Sequence, residues 1–153
     1  LDRKLLLWPG CCAIHARFEP QDILDMRAAH PGCRVIAHPE CREEVVALCD
    51  GAGSTSYLIK EAARVASENP GSTLVIATEN NLVRRLAARH AGQCDIIPLG
   101  HAICGNMAKV TEKKLYDILR RIADGAATPL VVEKALCPPA RLSLTRMLQA
   151  CGL

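Results

Sequence analysis

Aromatic residues make up only 3% of this 153-residue sequence, with Trp8 and Phe18 each alone of its kind. A core built without large rings has to be aliphatic, and half of the residues are apolar. Charge of one sign is also missing. A formal net charge of +3 spread along the sequence gives no basic face or helix of the sort that follows a phosphate backbone, so nucleic acid is not an expected partner. No run of about 18 apolar residues occurs, which argues against a membrane span. The start, LDRKLLLWPG, is too short and too soon broken for a secretory signal. These absences place the chain in the cytosol as an expectation. Leu1 stands where an initiator Met would, and the first segment already reads as a strand, so the sequence is expected to start partway through a larger protein.

Nine cysteines are present, yet no two form a CxxC pair. A reducing compartment argues against a disulfide framework, and the spacing does not suit structural zinc. An iron-sulfur cluster held by cysteines distant in sequence leaves no local motif, so spacing neither supports nor excludes it. Metal, cluster and plain packing all stay open for these thiols.

What is there is alternation. Short, nearly all apolar runs at Lys4 to Trp8, Arg34 to Ala37, Thr73 to Ala77 and Asp95 to Pro98 read as strands covered on both faces. Between and after them, helical periodicity is expected over Pro20 to His30, Arg42 to Leu48, Ser54 to Ala66, Asn80 to His90, Thr111 to Ala123 and Pro139 to Gln149. In the first helix, Ile23, Leu24 and Met26 are expected to supply an apolar side. The pattern is that of a parallel sheet with crossover helices, an α/β fold. Asp124 to Pro139, with Gly125, Pro129, Pro138 and Pro139, reads as a linker or surface arm. WPGCCAIH and PLGHAICGNM echo each other at an interval of about 90 residues, as repeated α/β units would.

Four strings carry chemistry. In WPGCCAIH, Gly10 permits a sharp turn, and Cys12 and His15 follow a strand's carboxyl end, where open α/β sheets bind ligands; buried packing of Cys11 and Cys12 is the ordinary alternative. HPE places His38 and Glu40 at another strand end, suited to acid-base work, or else marks a helix start with Pro39 near its first position. In GAGSTS, Gly51 and Gly53 free the backbone, and Ser54 and Thr55 open a helix whose amides and hydroxyls suit an anion; a simple Ser cap is the commoner explanation. No Lys follows the glycines as a P-loop requires. Cys104, in CGNMAKVT, follows a strand and a Gly and is expected to begin another helix.

Taken in order, WPGCCAIH, HPEC, GAGSTSYLIKEA, IATENNLVRRL, CGNMAKVTEKKLYDIL and LTRML resemble the successive landmarks of quinolinate synthase across nearly the whole chain. The resemblance implies three-layer αβα domains with short parallel sheets, arranged with pseudo-threefold symmetry around a [4Fe-4S] cluster that acts as a Lewis acid. It implies a transferase that condenses iminoaspartate with dihydroxyacetone phosphate to quinolinate in NAD biosynthesis. L-aspartate oxidase or aspartate dehydrogenase is then the implied source of iminoaspartate. By motif position, Cys12 and Cys104 resemble cluster ligands, and His15 and His38 resemble substrate-binding histidines. Glu40 resembles the acid-base glutamate, and Ser54 and Thr55 the pair that holds an anionic group.

On this resemblance, residues 1–12 are expected to end a preceding α/β domain, 13–103 to form a three-layer domain, and 104–153 to be a helical segment packed on a first domain. That first domain, with its own cluster cysteine, is expected to lie outside this sequence. The chain is therefore expected to supply two of three ligands and to be inactive in isolation. Two other readings compete: a noncatalytic iron-sulfur or thiol redox module, and a small-anion binding domain that uses only GAGSTS and the histidines.

Overall fold

A computed structural model describes residues 10–152; the strand read at Lys4 to Trp8 lies outside them. The chain divides into two compact units, residues 1–109 and 110–153.

The first unit is a four-stranded sheet of β1 (Arg34–Ala37), β2 (Gly51–Ala52), β3 (Thr73–Ala77) and β4 (Asp95–Pro98). All pairings are parallel, in the order β2-β1-β3-β4. Its helices are α1 (Pro20–Ala29), α2 (Glu43–Val46), α3 (Thr55–Glu68) and α4 (Asn80–Arg89). Side chains alternate across a strand, and here the alternation builds two separate cores. Val35, Ala37, Val75 and Ala77 pack with Phe18, Ile23 of α1 and Val45 of α2. Ile36, Leu74 and Ile76 pack with Leu58 and Val65 of α3 and Val83 and Leu86 of α4. The result is three layers, α/β/α. Each fully buried aliphatic side chain contributes about 1.5–3 kcal/mol, so truncating Ile36 to Ala would cost about 2–5 kcal/mol.

Strand order places the site. From β1 the chain passes through α2 on the first core's side, whereas from β3 it passes through α4 on the second's. The connections leaving these neighbouring strands diverge, and a crevice opens at their carboxyl ends, as at the switch point of any open α/β sheet.

Several local readings are corrected by the structure. HPE starts no helix: Cys41 N donates to His38 O in a tight turn, and α2 begins later, at Glu43. Leu24 is half exposed rather than part of the apolar side. A reciprocal capping box, Glu19 with Asp22, plus Pro20 at the first position, fixes the start of α1. Strand β2 was not anticipated, being only Gly51–Ala52; Asp50 anchors it, its carboxylate accepting from Val35 N (2.7 Å) and from Arg27 (3.1 Å).

The echo noted in the sequence is a structural repeat of backbone bonding. Ala16 N donates to Cys12 O and Ala108 N to Cys104 O, each at 2.9 Å, while Arg17 N to Ile14 O and Lys109 N to Asn106 O are each 3.3 Å. Each cysteine thus opens the same turn into one 3-10 turn, His15–Arg17 and Met107–Lys109. After equal intervals, Glu19 and Thr111 become the N-caps of the next helices.

The second unit holds α5 (Glu112–Ala123) and α6 (Cys137–Ala150). Thr111 Oγ1 accepts from Lys114 N at 3.3 Å, so the hydroxyl alone caps α5. Pro138 and Pro139 lie in the first turn of α6 rather than in a linker before it, where a missing N–H costs nothing. Among the described residues, no helix is long and apolar enough to cross a membrane.

Candidate active site at the carboxyl ends of the parallel strands

Register decides which side chains meet. Ala37 pairs with Ala77, so the residues that follow, His38 and Thr78, leave the sheet side by side, with His38 N donating to Ala77 O at 3.0 Å. His15 enters from its 3-10 turn. Its Nε2 lies 3.1 Å from Thr78 Oγ1, and its ring stacks on His38, with centroids 4.5 Å apart and planes 14° from parallel. Glu40 completes the group: its Oε2 is 3.2 Å from His15 Nδ1 and 3.4 Å from His38 Nδ1.

Protonation follows from these contacts. Glu40 N donates to His38 Nδ1 at 3.3 Å, so Nδ1 is the unprotonated nitrogen and a neutral His38 carries its proton on Nε2. His15 Nδ1 approaches Glu40 closely, but outside hydrogen-bonding geometry, and among the described residues it is buried with no hydrogen-bond partner. Burial, then the neighbouring His38, pushes the His15 imidazole below its ordinary value; Glu40 and Glu79 pull the other way and do not win. His15 is therefore held neutral near pH 7, with a lone pair available.

A cavity of about 480 Å³ opens over this group, lined by His15, His38, Glu40, Thr55, Thr78 and Arg85 among others. A second, of about 550 Å³, is lined by Gly10, Cys11, Cys12, Pro39 and Glu40. Glu40 is thus common to both. Sulfur, ring nitrogen and carboxylate oxygen of Cys12, His15 and Glu40 lie within 4.8 Å of one another.

Of the residues singled out in the sequence, Cys12, His15, His38, Glu40 and Thr55 line these two cavities. Ser54 is the N-cap residue of α3 but makes no side-chain capping bond, and it lines neither cavity. Cys104 is half-buried and lines neither. The glycines of GAGSTS act differently from expectation. Neither Gly51 nor Gly53 has a positive φ; instead the Tyr57 ring fills the space where their Cβ atoms would be.

Thr78, Glu79 and Arg85 were not picked out. Glu79 is buried and caps α4, accepting from Asn81 N (2.8 Å) and Asn81 Nδ2 (2.9 Å). Asn80 donates its backbone N–H to Ala102 O and accepts from Ala102 N through Oδ1, which ties α4 to the segment leading to Cys104. The only sequence signal was the string ATEN, a capped helix start directly after a strand.

Other thiols are packed away. Cys41 Sγ donates to Ala77 O and Cys49 Sγ to Val45 O, and burial pushes both up to about 11. Burial also raises the buried Cys94 thiol.

An open parallel sheet with a thiol, two imidazoles and a carboxylate at its switch point belongs to the α/β proteins that bind small molecules at strand ends. The sequence matches the family described as NadA: Quinolinate synthetase A protein over residues 1–149, and the chain belongs to that family. It is 38% identical over 151 residues to a quinolinate synthase from Streptomyces coelicolor, covering 96% of this chain and 38% of the relative. A quinolinate synthase from Herpetosiphon aurantiacus is 35% identical over 154 residues, covering 99% of this chain and 40% of the relative. One from Methanoregula boonei is 38% identical over 118 residues, covering 77% and 38%. The chain thus spans about two fifths of the length of the curated relatives it matches.

Proposed function

We propose that this chain forms part of a quinolinate synthase, a transferase that condenses iminoaspartate with dihydroxyacetone phosphate. The observation that carries the reading is the cluster of His15, His38 and Glu40 beside Cys12 at the strand ends of a family member. L-aspartate oxidase or aspartate dehydrogenase would supply the unstable imine.

The thiols fit a [4Fe-4S] cluster. Cys12 and Cys104 open the same backbone turn, both are half-buried, and neither donates to a carbonyl among the described residues. Cys33, Cys41 and Cys49, by contrast, all point at carbonyls. Soft thiolates at two equivalent places are a suitable donor set, with a further cysteine needed from elsewhere. When bound, the cluster supplies an iron that polarises a substrate oxygen.

The chain's own residues do the rest. Thr55 and Ser54, at the start of α3 where backbone amides are unpaired, together with the Arg85 guanidinium, hold anionic groups of substrate. His15, oriented by Thr78 and kept neutral by burial, accepts a hydrogen bond through Nδ1. Glu40, more than half exposed and next to both rings, takes a proton from substrate and returns it.

The test is anaerobic quinolinate formation by the native-length polypeptide after reconstitution with iron and sulfide. Glu40→Gln is expected to lower turnover at least about 100-fold with iron content unchanged, and Cys12→Ala to lose iron and turnover together. Full activity in Glu40→Gln, or full iron content in Cys12→Ala, would overturn these roles.

A further inference from the structure

We propose that Cys12, His15 and Glu40 form a site for a single divalent cation of the zinc class, occupied when no cluster is present and competing with the cluster for Cys12. The competition, though not the site, rests on the assignment of Cys12 proposed above.

The donors are a thiol, an imidazole and a carboxylate, the three ligand types zinc combines, with a fourth position left for solvent. Distances suit such an ion. A tetrahedron of zinc-length bonds sets nitrogen and oxygen donors about 3.3 Å apart and sulfur about 3.6 Å from either. His15 Nδ1 and Glu40 Oε2 stand 3.2 Å apart, and Cys12 Sγ is within 4.8 Å of both.

One feature leaves the arrangement incomplete without a cation. Among the described residues, His15 Nδ1 is a buried nitrogen with no hydrogen-bond partner, in a residue only 7% exposed, and a cation held there would satisfy it. His38 Nδ1 uses its single lone pair to accept from Glu40 N and stays outside the donor set. Meanwhile Thr78 Oγ1 binds the other nitrogen of His15, as outer-shell partners of metal-bound histidines do to fix the ring. Access is open, because Glu40 is exposed and Cys12 and Glu40 share the cavity of about 550 Å³.

Cobalt is the probe, titrated anaerobically into the cluster-free full chain, with zinc affinity read by competition against a chromophoric chelator. One equivalent is expected, with a thiolate-to-cobalt charge-transfer band and the visible bands of four-coordination. Cys12→Ser should abolish the charge-transfer band. His15→Gln and Glu40→Gln should each weaken zinc binding at least 10-fold, and Cys94→Ser should leave it unchanged. Glu40 is a surface side chain, so Glu40→Gln tests the site even if His15→Gln fails to fold. A band that survives in Cys12→Ser, or unchanged zinc affinity in Glu40→Gln, overturns the proposal. If the cluster-loaded protein takes cobalt with the same band, the cation site stands and the cluster assignment of Cys12 falls.

Discussion

Tyr57 occupies the space that a side chain at Gly53 would need: a Cβ there would stand 2.4 Å from the Tyr57 Cγ. That atom is close to the backbone of α3 and cannot swing aside, so Gly53→Ala is expected to lose about 1–3 kcal/mol. At Gly51 the clash, 2.2 Å, is with the Tyr57 hydroxyl at the far end of the ring, which can move. Urea denaturation of the two alanine variants should rank Gly53→Ala as the more damaging; the reverse order would show that the loop, not the ring, yields.

Acid stability should depend on Glu61. Its carboxylate is bonded by Arg64 (2.7 and 2.9 Å) and by Arg34 (2.7 Å). Chiefly the Arg64 bonds, together with the charge of Arg34, hold it below its ordinary value against the opposing effect of burial. A depressed folded value gives stability that is complete above the unfolded carboxylate's range and lost as pH falls through the folded one. Glu61→Gln is expected to cost about 1–3 kcal/mol at pH 7, with the penalty shrinking below about pH 4. Thermal melts at several pH values would check it; a penalty constant down to pH 2 would mean that packing, not charge, is lost.

Thr78 positions His15. Thr78→Val keeps the shape and removes the partner of Nε2, which should cost about 1–2 kcal/mol and leave the imidazole tautomers mixed in nitrogen NMR. Thr78→Ser should restore both. Wild-type tautomer signals in the valine variant would show that Thr78 does not set the ring.

Thiol reactivity should follow burial. Cys11, Cys137 and Cys151 are exposed, whereas Cys33, Cys41 and Cys94 are buried. At pH 8 a thiol raised to about 11 is thiolate in only about one molecule per thousand. Alkylation timed by mass spectrometry should label the first three well before Cys41. Equal rates would mean that the sheet opens readily at its first core.

Much of the fold was legible because strands buried on both faces must be apolar throughout: Arg34–Ala37, Thr73–Ala77 and Asp95–Pro98 have the bounds read from the sequence. Strand β2 was not, since Gly51–Ala52 has no side chain to declare it and is held instead by Asp50. The start of α2 was read to within one residue, at Arg42 against Glu43, whereas the alternative reading of HPE as a helix start fails because Pro39 favours a turn as readily as a helix. Of the site, residues in strings with unusual chemistry were visible: Cys12, His15, His38 and Glu40. Thr78 was hidden, because its role comes from the β1–β3 register, which sets it beside His38 across a gap no local window spans. Arg85 looked like one more solvated charge on α4.

Glu40 is a wall with two faces. Whatever engages its carboxylate from the side of Cys11 and Cys12 changes the charge offered on the side of His15 and Thr55. Linkage makes that effect mutual and equal in size. Ligands arriving in the two chambers would therefore report on each other through one side chain, without any movement of the sheet.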